Sequence, residues 1–255
     1  MVVAPDGYIF QGFLSSDAIS HVFKVAAGDV QFACKRLSSR AHRSTACADL
    51  KEEGHILRAL DGRSAPRLHA LGEDACGPFL VMSLVEGGSL SEGLLLPYKI
   101  LFEALANVHE ARDAEGRLEV VHADISPSNV MVTADGGSCT FVDFGLAQWR
   151  GRKVFSGTVR GTLQYAAPEI ARSEEFDVRA DLFALAASAL HVRSGISPRQ
   201  AQESAPLIRA AAEQSLQSWA ASASTGLPMR DVLMACLEFD RNDRPRSARE
   251  VALQM

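Results

Sequence analysis

The sequence predicts an α+β fold, in which a small antiparallel β-sheet with one helix comes first and a larger, mainly helical part follows. Two observations support this prediction. Segments with β-type residues and turn signals are concentrated before residue 85. Beyond residue 97, most apolar residues recur at helical spacing, with only one pair of short β-type runs among them.

Five β-type segments and one amphipathic helix make up the predicted sheet part. The strands cover residues 8–14, 21–25, 30–37, 67–71 and 79–84. A polar turn over residues 15–20 joins the first two strands. The helix covers residues 45–60, where four apolar positions form one stripe that we expect to be buried: Leu50, Ile56, Leu57 and Leu60.

The second part of the chain carries four predicted helices and one predicted hairpin. The helices cover residues 97–110, 179–192, 205–223 and 229–238. The hairpin joins short strands at 130–132 and 140–142 through a turn at 134–137. We expect a charged insertion at 112–118 to be a solvated turn, and the pair Gly87-Gly88 is a loop signal after a buried strand.

The composition is that of an ordinary globular protein, with 47% hydrophobic and 22% charged residues. The net charge of −5 argues against nucleic acid as the main partner, because phosphate backbones attract basic surfaces. The five cysteines show no metal-ligand spacing, which favours free thiols in a reducing compartment. Asp6 and Gly7 interrupt the opening apolar residues, and no apolar window is long enough to cross a bilayer. We therefore expect a cytoplasmic protein without a membrane partner, while the oligomeric state stays open.

One stretch of the chain combines a carboxylate with oxygen ligands for a metal. It reads His122-Ala123-Asp124-Ile125-Ser126-Pro127-Ser128-Asn129 and is followed downstream by Asp143-Phe144-Gly145. Phosphoryl transfer needs a carboxylate that takes the proton from the attacking hydroxyl, and oxygen ligands that hold Mg²⁺. The predicted hairpin should make Asn129 and Asp143 face each other across its base, where they could hold one metal ion.

These residues resemble the catalytic loop and metal-binding motif of eukaryotic-like (Hanks-type) Ser/Thr protein kinases. The order of residues in the motif is similar to that of a bacterial branch of the family. Two positions depart from the usual pattern: Ala123 stands where the family has Arg, and Ser126 where it commonly has Lys. The resemblance implies a bilobal protein-kinase-like fold and a single kinase domain over residues 1–255. The N-lobe, with an antiparallel sheet and helix C, would cover about 1–85, and the larger, mainly helical C-lobe about 86–255.

The resemblance also implies which residues bind the nucleotide and which carry out the transfer. Lys35, held by Glu53, would contact the α- and β-phosphates of ATP, while Asp124 would deprotonate the substrate hydroxyl. Asn129 and Asp143 would bind Mg²⁺. The implied catalytic residues are Asp124, Lys35, Glu53, Asn129 and Asp143. The implied cofactor-binding residues are Ser15, Val22, Ala33, Lys35, Met82, Ser83, Val85 and Met131, with Met82 as gatekeeper and the backbone of Ser83 and Val85 at the adenine edge.

Lys35 lies inside an apolar strand, and this position by itself calls for a partner. A buried charge whose partner is removed costs about 3–5 kcal/mol. Glu53, on the helix that follows, is the candidate partner. An exposed Lys35 with a solvated Glu53 is the alternative.

Further motifs extend the resemblance over nearly the whole chain. Residues 146–160 resemble a kinase activation segment with hydroxyls at Ser156 and Thr158, and residues 167–169 resemble its Ala-Pro-Glu anchor. Three supporting contacts are implied: Thr162 with Asp124, Asp181 with the backbone of the catalytic loop, and Arg244 with Glu169.

The leading prediction is a Ser/Thr protein kinase that transfers the γ-phosphoryl group of MgATP to a protein hydroxyl. A pseudokinase, which keeps the fold as a binding or scaffold module, is the alternative, because Ser15, Asp17 and Ser20 replace the glycines of the kinase phosphate loop. A small-molecule phosphotransferase is a third interpretation, which the Ala-Pro-Glu anchor and Arg244 disfavour. The presence of all five catalytic groups together favours the active enzyme.

Overall fold

The chain forms two compact units, each with its own secondary structure. The smaller unit contains Met1–Glu86 and Asp143–Gly145, and the larger unit contains Gly87–Val142 and Leu146–Met255. The smaller unit is a β-sheet with one helix and the larger is mainly helical, so the predicted α+β class is confirmed. The computed structural model describes residues 3–16, 19–38, 44–90, 97–150, 162–199 and 214–255. None of the helices in these ranges has both the length and the apolar character that a bilayer crossing requires.

The smaller unit is built on a sheet of five antiparallel strands. They are β1 (Ile9–Ser16), β2 (Ser20–Ala27), β3 (Val30–Leu37), β4 (Leu68–Asp74) and β5 (Gly77–Ser83). Their order across the sheet is β1-β2-β3-β5-β4. One face carries an apolar core cluster in which Phe23, Val25, Cys34 and Val81 are fully buried. Because side chains alternate along a strand, the residues between them point to the opposite face.

A single helix, α1 (Ser44–Leu60), lies between β3 and β4 in the sequence and packs against β4 and β5. The four apolar positions of its predicted stripe all have exposures of at most 2%. The predicted helix is therefore confirmed, with one additional residue at its N terminus. This packing anchors α1 on the sheet and fixes the position of Glu53 in its middle.

Strand β1 continues further than the sequence predicted, and the polar turn that follows it is correspondingly shorter. Ser15 pairs with Val22, and Ser16 pairs with His21, so both serines belong to the sheet. Ser16 Oγ also forms a hydrogen bond with His21 Nδ1 at 2.7 Å. Serine was interpreted as a turn residue, but main-chain pairing does not depend on apolar side chains. Of the residues that replace the expected glycines, Asp17 lies outside the described residues.

The described part of the larger unit contains mostly helices, together with five very short strands. In the described ranges its helices are α2 (Tyr98–His109), α3 (Pro168–Ala171), α4 (Val178–Ser194), α5 (Gln217–Ala223), α6 (Arg230–Cys236) and α7 (Ala248–Leu253). The strands are β6 (Gly88–Ser89), β7 (Arg112–Asp113), β8 (Gly116–Arg117), β9 (Val130–Val132) and β10 (Cys139–Phe141). Strands β10, β9 and β6 form one sheet, which includes the predicted hairpin, and β7 pairs with β8.

Helix α4 is the central element of the larger unit. Every residue from Ala180 to Leu190 is buried, and α2, α5 and α6 all pack against the helix. Asp177 caps its N terminus by accepting the Arg179 N–H at 2.9 Å. Gly195 ends it in the left-handed conformation, with φ +68°, which glycine adopts without strain. These two signals explain why the helix exceeds the predicted range by one residue at its start and two at its end.

Two other predictions for the larger unit were wrong in part. Of the predicted helix at 205–223, residues 205–213 lie outside the described residues, and the described part becomes helical only at Gln217. Ser215 Oγ accepts the Gln217 N–H at 3.3 Å, a local bond that competes with helix formation. The charged insertion is a small hairpin of β7 and β8 instead of a solvated turn. Gly116, at φ +124°, permits its tight turn, and Leu118 is fully buried behind it.

Gly87, the first residue of the larger unit, occupies a position that only glycine can fill. Its φ is +117°, and a Cβ atom there would lie 2.1 Å from the Val132 carbonyl oxygen. The next residue, Gly88, pairs with Val132 in the sheet. The close approach of the two backbones thus explains the glycine at this position, which was predicted as a loop signal at the boundary between the two lobes.

Candidate active site

Lys35 is buried in the smaller unit and is held by two carboxylates. Its side chain in β3 is only 8% exposed, and Nζ lies 2.7 Å from both Glu53 Oε2 and Asp143 Oδ1. The predicted ion pair with Glu53 is therefore present, and the alternative of an exposed lysine is excluded. The contact with Asp143 adds a partner that the sequence analysis did not anticipate.

The two carboxylates keep the Lys35 ammonium group charged. Burial alone would lower the pKa of Lys35, but the charges of Glu53 and Asp143 outweigh burial and raise that pKa above its ordinary value. Glu53 is 1% exposed and accepts hydrogen bonds from the backbone N–H of Phe144 and from the Lys35 ammonium group. Two carboxylates thus hold a positive charge at a defined position on one face of the sheet.

Asp143 and Gly145 shape the space beside this ammonium group. Asp143 adopts φ +64°, an unusual left-handed conformation for a residue other than glycine, and its side chain is 47% exposed. A Cβ atom on Gly145 would lie 3.2 Å from Asp143 Oδ1 and 3.3 Å from Lys35 Nζ. The absence of that atom keeps the two charged groups uncrowded.

Strand register places five of the predicted cofactor-binding residues on one face of the sheet. Ser15 lies opposite Val22, which lies opposite Lys35, and Ala33 lies opposite Met82. Ala33 and Lys35 are two positions apart on β3, so alternation directs both to the same side. This is the face that points away from the Phe23 core cluster.

The remaining predicted cofactor-binding residues lie elsewhere. Ser83 ends β5, donates its N–H to the Arg67 carbonyl at 2.9 Å and accepts the Arg67 N–H on its hydroxyl at 2.9 Å. Val85 follows β5 in a segment without regular structure. Met131 belongs to β9 of the larger unit, where it is half-buried opposite Thr140.

Asp124, in the larger unit, is oriented through both of its carboxylate oxygens. Oδ1 accepts the backbone N–H of Thr162 at 2.7 Å, so the predicted contact between these residues is present and is made by the main chain. Oδ2 accepts a longer bond of 3.3 Å from Asn129 Nδ2, which also donates to the Asp124 carbonyl at 2.9 Å. These two bonds orient the carboxylate.

Asn129 presents the other end of its side chain as a possible metal ligand. Since its amide nitrogen is directed to Asp124, Oδ1 is the atom left to offer to a cation. A short 3₁₀ turn, Pro127–Asn129, leads into β9 and sets this direction. The Asn129 carbonyl accepts the Val142 N–H at 3.0 Å, which closes the hairpin immediately before Asp143.

The backbone of the catalytic loop is held by a buried carboxylate on α4. Asp181 is 1% exposed and accepts the N–H groups of His122 at 2.7 Å and of Ala123 at 2.9 Å. It also contacts His109 Nε2 at 2.9 Å. The predicted role of Asp181 is thereby confirmed in its geometry, and it explains how Ala123 is kept at φ +63°.

One departure from the kinase pattern has a clear local consequence. Ser126 stands where Lys is common, is 1% exposed, and bonds to Ser128 Oγ at 2.9 Å, so this position supplies no charge.

Residues 151–161 lie outside the described part of the chain, and so do the hydroxyls of Ser156 and Thr158. The predicted ion pair between Arg244 and Glu169 is present, at 2.6 Å.

A family model described as the protein kinase domain matches residues 13–254. The chain belongs to this family. The matched range includes three positions at which this chain departs from the usual kinase pattern, Ser15, Ser20 and Ala123. The five catalytic groups predicted from the sequence are all present within the matched range.

Similar curated kinases come from bacteria. The chain is 29% identical to "Serine/threonine-protein kinase pkn2" of Myxococcus xanthus, covering 98% of this chain and 33% of the relative. It is 27% identical to "Serine/threonine-protein kinase PknL" of Mycobacterium tuberculosis, covering 96% and 63%. It is 32% identical to "Tyrosine-protein kinase MasK" of Myxococcus xanthus, covering 60% and 25%. The chain thus spans less than two thirds of the length of each of these relatives.

Sequence reasoning missed one residue close to the catalytic loop. Arg199, buried at 6% exposure, bonds to carbonyl groups near Thr162. No motif contains it, and an arginine after a proline resembles an ordinary surface residue. Carbonyl partners leave no signature in a sequence, so only the fold could reveal this contact.

Proposed function

We propose that this kinase domain is catalytically active and transfers the γ-phosphoryl group of MgATP to Ser and Thr hydroxyls of proteins. The observation that carries the proposal is the fixed orientation of Asp124, whose two oxygens are bonded to Thr162 N and Asn129 Nδ2. A general base must be held within hydrogen-bond reach of the proton that it takes. A carboxylate restrained by neutral donors meets this condition and remains able to accept a proton.

Lys35 is the proposed ligand of the α- and β-phosphates of ATP. Its ammonium group is preorganised between Glu53 and Asp143, so it can stabilise phosphate charge without reorganising first. The same face of the sheet carries Val22, Ala33 and Met82. Apolar side chains beside a fixed cation suit a ligand with a flat ring and a charged tail.

Asn129 and Asp143 are the proposed ligands of Mg²⁺. Carboxylate and amide oxygens are the donors that Mg²⁺ prefers, and both residues offer one. Asn129 directs its amide nitrogen to Asp124, and the half-exposed Asp143 carboxylate has space beside it because Gly145 lacks a Cβ atom. When bound, Mg²⁺ neutralises and orients the phosphates of the nucleotide.

The proposed reaction forms one O–P bond and breaks another. The substrate oxygen attacks the γ-phosphorus while its proton passes to Asp124, and the bond to the bridging oxygen breaks to release ADP. The names of two relatives support a Ser or Thr acceptor, and that of a third denotes a tyrosine kinase. The acceptor is therefore part of what the experiment must test.

Transfer from ATP labelled at the γ-phosphate tests the proposal. The purified protein is incubated with Mg²⁺, a mixture of proteins and, in separate tubes, small hydroxyl compounds. We expect label on Ser and Thr after acid hydrolysis of the proteins, and a loss of about 10²-fold or more in Asp124→Asn. Label on small compounds alone would overturn the protein acceptor, and label on Tyr alone would overturn the Ser/Thr assignment. Nucleotide binding without transfer in any tube would establish the pseudokinase alternative.

A single kinase domain over residues 1–255 and a cytoplasmic location stay predictions from the sequence. The same applies to the expectation that nucleic acid and membranes are not partners. Cell fractionation followed by immunoblotting checks the location directly. Limited proteolysis checks whether residues 1–255 behave as one protected domain.

A further inference from the structure

Arg199 is a buried arginine that binds main-chain carbonyl groups of one short turn. Arg199 follows α4 in the sequence and is 6% exposed. Nη1 donates to the carbonyls of Leu163 at 3.1 Å, Gln164 at 2.9 Å and Ala166 at 2.9 Å. Three carbonyls from four consecutive residues therefore converge on one nitrogen atom.

The surroundings of Arg199 hold this arrangement in place. The guanidinium group lies over the Phe183 ring of α4, 5.7 Å from its centroid. Gln164 Nε2 donates to Ser197 Oγ at 2.7 Å, and Ser197 Oγ donates to the Arg199 carbonyl. Burial lowers the pKa of Arg199 to about 10, which reflects what it costs to keep this charge away from water.

The turn that Arg199 binds also contacts the catalytic aspartate. Its first residue is Thr162, whose N–H donates to Asp124 Oδ1 at 2.7 Å. The Thr162 carbonyl accepts the Tyr165 N–H at 3.0 Å, which closes the turn on itself. The orientation of the Thr162 N–H therefore depends on the turn whose other carbonyls are fixed by Arg199.

We propose that Arg199 is a positioning residue for the transfer reaction, acting through the turn at 162–166 to hold the Asp124 carboxylate in its productive direction. This inference rests on the proposed kinase function. The hydrogen bonds of Arg199 described above end on the turn, so the proposed effect on Asp124 is on its orientation. A small misplacement of a reacting group is expensive in rate, which gives such a residue a measurable effect.

A purely structural role for Arg199 predicts a different outcome. If the arginine only stabilised the packing around Phe183, its loss would lower overall stability and leave the turn and the turnover of the folded enzyme unchanged. A positioning role predicts a local change at the Thr162 N–H and a lower kcat in protein that is still folded. The two roles therefore differ in a measurement on one backbone amide.

The test compares Arg199→Met, Arg199→Lys and Arg36→Met with the unchanged chain. Methionine removes the donors, whereas lysine keeps a positive donor for the carbonyl groups. Arg36 is the control for losing a buried arginine outside this turn, since it is 4% exposed, lies 5.2 Å from the Phe79 ring centroid, and binds the Gly77 carbonyl and the Asp74 carboxylate. The readouts are hydrogen exchange in a peptide covering residues 162–166, kcat, and KM for ATP.

We expect Arg199→Met to exchange at least about tenfold faster at Thr162, with kcat about 10- to 100-fold lower and KM for ATP within about twofold. Arg199→Lys should recover part of both effects, and Arg36→Met should leave the exchange at 162–166 unchanged. Unaltered exchange in Arg199→Met would overturn the proposal whether or not the chain is an active kinase. Faster exchange with an unchanged kcat in an active enzyme would overturn it too. An unchanged chain without turnover would instead refute the proposed function, while the exchange measurement still tests the contact.

Discussion

Arg244 and Glu169 form a bidentate ion pair in the interior of the larger unit. Nη1 lies 2.6 Å from Oε1 and Nη2 lies 2.9 Å from Oε2, with side-chain exposures of 0% for Arg244 and 4% for Glu169. The guanidinium also lies 4.9 Å from the Phe183 ring centroid and donates to the Glu238 carbonyl at 2.7 Å. Each charge is therefore compensated only as long as its partner remains.

We expect Arg244→Met to lower the free energy of unfolding by about 3–5 kcal/mol, because it leaves the Glu169 carboxylate buried without its partner. Urea denaturation followed by circular dichroism measures this change. The matched control is Arg249→Met, which breaks a pair with Glu110 in which both side chains are 41% exposed. That loss should be within about 1 kcal/mol. Equal losses in the two variants would contradict the importance of burial.

Asp143→Asn should abolish transfer while the protein stays folded. The change removes a charge proposed to bind Mg²⁺ without removing volume, and Lys35 keeps its contact with Glu53. We expect labelled phosphate incorporation to fall by about 10²-fold or more, in protein whose circular dichroism spectrum at the assay temperature shows that it is still folded. Asp29→Asn, in the exposed turn between β2 and β3, is the control for the chemical change alone. Turnover equal to that of the unchanged chain would refute the catalytic role of Asp143.

Gly145→Ala should weaken nucleotide binding by crowding the charged groups beside it. The new Cβ would lie 3.2 Å from Asp143 Oδ1 and 3.3 Å from Lys35 Nζ, so both must shift by a few tenths of an ångström. We expect the Kd for MgATP in calorimetry to rise by roughly tenfold, the equivalent of ~1.4 kcal/mol. Adenosine, which has no phosphates, should bind equally well to both proteins. A parallel loss for adenosine would assign the effect to the sheet instead of the charges.

His191 should make the protein less stable in mild acid. Burial lowers the pKa of His191 below its ordinary value of 6.5, so the unfolded chain takes up a proton before the folded one does. The free energy of unfolding should therefore fall as the pH drops below about 6.5. His191 Nδ1 lies 2.7 Å from the Tyr165 hydroxyl, and after protonation Nδ1 could only donate to that oxygen.

Urea denaturation at pH 7, 6 and 5 checks this prediction. His191→Gln lacks the titrating group, so its loss of stability across this range should be smaller than that of the unchanged chain. Tyr165→Phe keeps His191 buried and should retain the full pH dependence, because burial is the cause of the lowered pKa. Identical pH profiles for His191→Gln and the unchanged chain would show that other groups are responsible.

The parts of the site that the sequence could predict are those in which chemistry forces a partner. A lysine in an apolar strand needs a carboxylate, and the helical stripe on α1 leaves Glu53 to supply it. The strands β2, β3 and β5 were likewise predicted, from their β-type residues and the turn signals that flank them. The prediction and the structure agree where a buried charge had one available partner or where an apolar face had to be buried.

The remaining features depend on the backbone of distant segments. Ser15 continues a strand because β2 pairs with it, and the insertion at 112–118 becomes a hairpin because Leu118 finds a buried position. Asn129 was predicted only as a metal ligand, yet its amide also restrains Asp124. The contacts of Arg199 end on main-chain carbonyls, which require no particular partner residue, and no family motif contains Arg199, so the sequence did not predict them.

The contacts of Asp181 determine when, during synthesis on the ribosome, the catalytic loop can reach its final shape. The N–H groups of His122 and Ala123 bind a carboxylate that lies 59 and 58 residues later in the chain. A nascent polypeptide that has just completed the catalytic loop does not yet contain its acceptor. The loop can therefore reach its final shape only after α4 has been synthesised and has packed into the larger unit. Premature termination anywhere before Asp181 yields fragments in which the catalytic loop has no anchor.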